Sequence, residues 1–124
     1  MAKLDFAVIG KPVAHSMSPQ IHNFFAAQFD FKNYSYKKIL SSKENLKETV
    51  NDFFKNGGSG LNITVPFKVD AYNLCDILDE TASQCGSVNT LKSELGKIKG
   101  YNTDGQGFID DLIKKMYASI TQQY

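Results

Sequence analysis

Hydrophobic positions along the chain alternate between short apolar runs and stretches with helical spacing, and this alternation lays out the elements. LDFAVIG (4–10) is an apolar run closed by Gly10, the pattern of a buried strand. Pro19 opens a helix expected over residues 19–29, with Ser18 placed to cap it and Ile21, Phe24, Phe25 and Gln28 on the helical period. YSYKKI (34–39) reads as a second strand. Ser41 and Glu44 have the spacing of a capping box, ahead of a helix whose stripe is Leu46, Val50, Phe53 and Phe54 and which GGSG (57–60) breaks. GLNIT predicts a third strand. Residues 68–84 carry Val69, Tyr72, Ile77 and Ala82 and predict one or two short helices. SVNTLKSELGKIKGYN (87–102) alternates about a turn near Glu94 to Gly96 and predicts a hairpin, although Glu-Leu-Gly is a weaker turn signal than Asn-Gly. Asp104 is placed to cap a last helix with the stripe Phe108, Leu112, Met116 and Ile120.

Strands and helices in alternation, followed by a hairpin, predict an α/β fold: a three-layer α/β/α sandwich with a mixed, mainly parallel sheet. The 124 residues suffice for one domain with its own core, and no repeat or long linker divides them. The domain is expected to occupy residues 1–118. SITQQY (119–124) has few apolar positions and reads as a tail or an artificial boundary.

Charge narrows the classes of partner. The net charge is +1, and all 14 basic residues are lysine. Without arginine the chain lacks the planar fork that reads bases and phosphates two bonds at a time, and it has no basic run, so nucleic acid is not an expected partner. No apolar run approaches membrane-spanning length and the start lacks a signal-peptide pattern, so a cytoplasmic protein is expected. Cys75 and Cys85 are then expected as free thiols. His15 and His22 have no cysteine or glutamate at ligand spacing, so no metal site is expected, and His22 reads as an ordinary helix-face histidine.

Polar residues gather where strands end. In GLNITVPFK (60–68), Asn62 and Thr64 leave the strand on one side while Leu61, Ile63 and Val65 leave on the other. Pro66 cannot join a ladder, so Lys68 falls just past the strand end, where α/β folds hold ligands. Ser16 and Ser18 lie between the first strand and first helix. Asn89 and Thr90 open the hairpin, and Asp104 stands in YNTDGQG at a strand-to-helix junction. Each has an ordinary alternative: a cap for Ser18 or Asp104, turn or edge chemistry for Asn89 and Thr90, a surface lysine for Lys68. As a group they suit a small, hydroxyl-rich ligand. Lysine is a poor acid or base at its free pKa of roughly 10.4, but a partly buried one oriented by a carboxylate can hand a proton to a carbonyl oxygen as charge develops there. Gly105 and Gly107 do not make a dinucleotide fingerprint, because the third small residue it requires is Asp110. A Ser-His-Asp triad is excluded too, since no nucleophile elbow is present.

FAVIGKPVAHSMSP, GLNITVPFK, GSVNTL and GYNTDGQGF, in this order and over nearly the whole chain, resemble the N-terminal, substrate-binding domain of shikimate dehydrogenase. That family reduces 3-dehydroshikimate to shikimate with NADPH, in aromatic amino-acid biosynthesis. The resemblance implies that Ser16 and Ser18 bind the substrate carboxylate and that Asn62, Thr64 and Asn89 hold substrate oxygens. Lys68 is then the catalytic acid and base, with Asp104 beside it on substrate hydroxyls. GSVNT stands where the family commonly has GAVNT, a departure expected to matter little because Ser87 is not a ligand. Family members are much longer and hold NADP in a second, Rossmann-like domain, so no cofactor-binding residue is expected here. The chain is expected to be an engineered truncation or a natural fragment, inactive alone, and a homodimer is compatible with the family. The alternatives are a non-catalytic small-molecule or protein-binding module derived from this domain, and a quinate/shikimate dehydrogenase.

Overall fold

The structure, a computed structural model, describes residues 4–13, 16–28 and 33–122. Their elements follow in the order β1 (Leu4–Gly10), α1 (Ser18–Gln28), β2 (Tyr34–Leu40), α2 (Leu46–Lys55), β3 (Gly60–Ile63), α3 (Lys68–Leu74), β4 (Ile77–Leu78), α4 (Glu80–Cys85), β5 (Thr90–Glu94), β6 (Lys97–Tyr101) and α5 (Asp104–Gln122). One sheet carries these strands in the order β2-β1-β3-β5-β6-β4. β1 is parallel to both β2 and β3, and β4 to β6, while β3–β5 and β5–β6 are antiparallel. The mixed, mainly parallel sandwich expected from the strand–helix alternation is the fold observed.

Strand alternation divides the side chains between two faces. On one face Ala7, Ile9, Leu61, Ile63, Leu91 and Ile98 are buried against Leu46, Val50 and Phe53 of α2, Ala71 of α3 and Ala82 of α4. Gly100 lies on this side, and a Cβ there would collide with Cys75 Sγ and Val88. Burial pushes the Cys75 thiol up to about 11, so it is a packing group rather than a nucleophile. The opposite face carries Phe6, Val8, Tyr34 and Tyr36, with Val13 and α1 beside them.

Several local expectations give way to tertiary contacts. Ser41 and Glu44 form no capping box: α2 begins only at Leu46, and the Ser41 hydroxyl engages Ser42 O at 3.3 Å and Thr49 Oγ1 at 3.1 Å. Between the two short helices of 68–85 lies β4, two residues with no period of their own. It is held to β6 because Asp76 N–H donates to Ile98 O (2.8 Å) and Ile98 N–H donates to the Asp76 carboxylate (2.8 Å). Val69 and Ile77 are exposed, while Tyr72 and Ala82 pack on the core. Ile21 and Phe24 of α1 and Leu112 and Met116 of α5 are exposed rather than core-facing. His15, residue 29 and the side chains of Phe25, Phe108 and Ile120 lie outside the described residues. The hairpin turn is the tight two-residue kind, with Leu95 and Gly96 at φ 51° and 79° between the paired Glu94 and Lys97.

Candidate active site

Strand direction brings the polar loops to one edge. β1 and β3 run parallel and end at Gly10 and Ile63. β5 runs the other way, so its first residue, Thr90, pairs with Asn62; β6 returns, placing Tyr101 opposite Thr90. The segments after Gly10, after Ile63, before Thr90 and after Tyr101 therefore meet. They carry Ser16 and Ser18, Thr64 and Lys68, Asn89, and Asp104.

The backbone fixes each segment. Thr64 N–H donates to Ile9 O (2.9 Å), and its methyl sits where a Cβ on Gly10 would be, so the close approach requires glycine. Phe67, almost wholly buried, anchors the turn from Thr64 into α3, and Lys68 is that helix's first residue. The Lys68 carbonyl accepts the Val88 N–H at 2.9 Å, tying α3 to the segment that presents Asn89. Asn102 is buried; its amide donates to Ser87 O (3.1 Å) and Ser87 Oγ (2.9 Å), and its oxygen accepts the Asp104 N–H (2.9 Å). Asn102 thus does the capping work expected of Asp104 and leaves the Asp104 carboxylate to other partners. The Ser87 hydroxyl is one of the two acceptors holding the Asn102 amide.

The Lys68 ammonium donates to Asp104 Oδ2 at 2.7 Å, with the two side chains 32% and 53% exposed. Asn89 Nδ2 donates to Asp104 Oδ1 (3.0 Å) and to Thr103 Oγ1 (2.8 Å), and Asn89 Oδ1 accepts from Thr103 N–H (3.2 Å) and from the Thr90 hydroxyl (3.0 Å). The hydrogen bond from Lys68 holds the Asp104 carboxyl below its ordinary value, with the Asn89 amide and the lysine charge acting the same way against partial burial. Asn62 Nδ2 donates to Thr90 Oγ1 (3.3 Å), and Tyr36 donates its hydroxyl proton to Asn62 Oδ1 (2.6 Å). Ser18 N–H donates to Ser16 Oγ (3.3 Å). His22, read from sequence as an ordinary histidine, stacks on Tyr36 with ring centroids 4.5 Å apart and sets its Nδ1 2.9 Å from Ser18 O.

One hydrogen-bond network therefore joins Lys68, Asp104, Asn89, Thr90, Asn62 and Tyr36, and the two serines adjoin it through His22. Thr64 joins through the backbone and its packing on Gly10. Tyr36 was missed by sequence reasoning; its only signal was its place two residues from Tyr34 on the same strand face, and the register that lets its hydroxyl reach over β1 to Asn62 is not readable locally. A cavity of about 240 Å³ lined by Phe6, His22, Tyr34, Tyr36, Asn62 and Thr90 adjoins this end of the network. A larger one of about 290 Å³ lies elsewhere, between α2 and the N-terminal half of β1 around Asp5, Lys37 and Asp52, and touches none of these residues.

Dinucleotide binding does not fit the start of α5. A pyrophosphate would need the positive helix end to itself, and the Asp104 carboxylate stands there. Asp110 occupies the position where close packing would require a small residue. Among the described residues no cluster of three or more metal-ligating side chains exists, and no helix is long and apolar enough to cross a membrane.

Residues 8–91 match the family described as the shikimate dehydrogenase substrate binding domain. The shikimate dehydrogenase (NADP(+)) of Herminiimonas arsenicoxydans is 44% identical over 118 residues, covering 95% of this chain and 43% of that protein. Among solved structures, an Ael1 enzyme from Pseudomonas putida superposes with a TM-score of 0.84 at 37% identity, over 92% of this chain and 42% of the other. Shikimate 5-dehydrogenase from Thermus thermophilus, crystallised with NADP(H) and shikimate, superposes with a TM-score of 0.82 at 34% identity, over 90% and 42%. The chain spans less than half the length of these relatives.

Proposed function

The chain belongs to the shikimate dehydrogenase substrate-binding domain family, and from that premise we propose that it is the substrate-holding half of an NADP-dependent shikimate dehydrogenase, reversibly reducing 3-dehydroshikimate to shikimate. The observation that carries the reading is the Lys68 ammonium set 2.7 Å from the Asp104 carboxylate on the edge where Asn62, Thr64 and Asn89 converge.

The cofactor, held by a domain outside this chain, supplies the hydride when bound. The residues of this chain do the rest. Ser16 and Ser18 donate hydroxyl hydrogen bonds to the substrate carboxylate. Asn62, Thr64 and Asn89 engage ring oxygens and fix the carbonyl near Lys68. Lys68 gives its proton to the carbonyl oxygen as that oxygen gains negative charge, and in the oxidative direction neutral lysine takes the proton back. The remaining ammonium charge lowers the barrier before transfer is complete. Asp104 aims the ammonium and accepts from a substrate hydroxyl. Hydride carbon and proton acceptor belong to one carbonyl, so the domain holding Lys68 must also hold the ring, which accounts for the binding groups and the acid sharing one edge. A cytoplasmic setting accompanies this role, with Cys75 and Cys85 both unbridged.

Titration of the chain with shikimate, followed through the backbone amides of Ser16, Asn62 and Asn89, tests the reading. A saturable, weak interaction is expected, because the edge is open and the second domain's contacts are missing. Absence of saturable shifts up to ligand concentrations on the order of tens of millimolar would remove substrate binding from this chain and favour a non-catalytic module.

A further inference from the structure

The hydrogen-bond network runs in one direction, and its polarity is set from its charged end. The lysine ammonium can only donate and the ionised carboxylate can only accept. Asp104 Oδ1 must therefore receive the NH₂ of Asn89, not its carbonyl. That turns Asn89 Oδ1 toward the Thr103 N–H and the Thr90 hydroxyl. Having spent its one proton on Asn89, Thr90 Oγ1 can only accept from Asn62, so the NH₂ of Asn62 faces it. Asn62 Oδ1 is left pointing the other way, and at that position the Tyr36 hydroxyl donates at 2.6 Å.

We infer that Tyr36 is a positioning residue: its hydroxyl closes the relay Tyr36–Asn62–Thr90–Asn89–Asp104 and thereby fixes the Asn62 amide with its N–H side toward Thr90 and the ligand edge. Without that donor the hold on the Asn62 amide falls to its longer contact with Thr90 Oγ1 (3.3 Å), and the side chain loosens, so that its N–H is no longer held in place for a substrate oxygen. The tyrosine is built for the task. It is 6% exposed, its ring is stacked on His22, and His22 is itself fixed by Ser18 O. Burial pushes its hydroxyl up to about 12, against the opposing pull of the Ser18 hydrogen bond, so it stays a donor at any working pH. Through His22, stacked on its ring and set 2.9 Å from Ser18 O, Tyr36 also links the start of α1 to Asn62 on β3.

The consequence for ligand binding rests on the functional reading above; the amide orientation does not, and the test separates them. In Tyr36→Phe, which keeps the ring on His22, the side-chain amide resonances of Asn62 and Asn89 in the ligand-free chain are expected to move and to exchange with solvent several-fold faster. Those of Asn45, Asn51 and Asn56 are expected to stay in place. Shikimate affinity is expected to fall about threefold to tenfold. Thr90→Val severs the same relay one step on and should reproduce both effects, while Thr90→Ser, which keeps the hydroxyl, should restore them; this pair carries the test if Tyr36→Phe folds poorly. Unmoved Asn62 and Asn89 amide signals in folded Tyr36→Phe or Thr90→Val would overturn the relay. Moved signals with unchanged shikimate affinity would overturn the positioning role in binding. Moved signals in a variant of a wild-type chain that binds no shikimate would uphold the relay and defeat the functional reading alone.

Discussion

Two faces of one sheet do different work in this molecule. The face bearing Ala7, Ile9, Leu61, Ile63 and Leu91 is dry and closed by α2, α3 and α4. The face bearing Tyr34, Tyr36, Asn62 and Thr90 is aromatic and polar, and its side chains find one another across strands rather than packing under a full layer of helix. Adjacent residues on β3 belong to opposite sides: Leu61 is buried in the core while Asn62 is a link in the network. The dry face stabilises the fold in proportion to apolar area removed from water. The polar face contributes less to stability per residue but holds groups in fixed orientation, which a binding site needs more than it needs burial. Since both faces hang on the same strands, the core's rigidity is what lets a sparse polar edge keep its geometry.

The largest expected break in this comparison comes from Lys68→Ala in a full-length dehydrogenase carrying this domain. Lys68 lies at the cleft edge, a third exposed, so the unfolding midpoint should hardly move. kcat should fall about 10²- to 10⁴-fold, the range for loss of a general acid. A kcat within a few-fold of wild type in a folded variant would shift the proton donor to another group.

A subtler effect is expected in the titration of Asp104. Lys68 holds the folded carboxyl below its ordinary value, so the pair favours the folded state above the unfolded carboxyl pKa of about 3.9. That contribution disappears as pH falls through the lower, folded value. In Lys68→Ala the Asp104 carboxyl carbon should titrate at higher pH than in wild type, measured by NMR. An unchanged midpoint would mean that Asn89, not Lys68, governs the carboxylate.

The smallest effect is expected at the far end of the hairpin. Leu95 is fully exposed and sits at φ 51°, a conformation that costs an L-residue about 1 kcal/mol. Leu95→Asn, a residue at home in this turn, should raise unfolding stability by about 0.5–1 kcal/mol and leave ligand shifts at the strand edge unchanged. Coupling to the edge would argue against the independence of the two ends of β5 and β6.

How much of this was legible before the structure depended on the range of the contacts. Elements with a clear period were readable: the apolar run of β1, the Leu46, Val50 and Phe53 stripe of α2, and the alternation of β5 and β6. β4 has two residues, and it is a strand because Asp76 and Asp79 on either side of it reach across to Ile98 and Gly100. The Ser41–Glu44 spacing failed because the Ser41 hydroxyl found Thr49, one turn into α2, instead of a cap position. On α1 and α5 the stripes were real in sequence, yet Phe24 and Leu112 face outward, since periodicity says which residues share a face and not what lies against it. The edge residues were readable as polar groups at strand ends, and Lys68 meeting Asp104 across 36 positions agrees with that reading. Asn102 taking over the cap, Ser87 supporting it and Tyr36 closing the relay were not readable, because each depends on the register between strands distant in sequence.

Leu61 and Asn62 are neighbours on one strand with opposite assignments. Urea unfolding and shikimate titration of Leu61→Ala and Asn62→Ala, with affinity expressed per folded molecule, test this contrast directly. Leu61→Ala should lose about 2–5 kcal/mol of stability and keep the affinity of wild type in whatever fraction stays folded. Asn62→Ala should lose much less stability and most of its shikimate affinity. Wild-type affinity in folded Asn62→Ala, or a core substitution at Leu61 that abolishes binding while sparing the fold, would contradict the division of labour between the two faces.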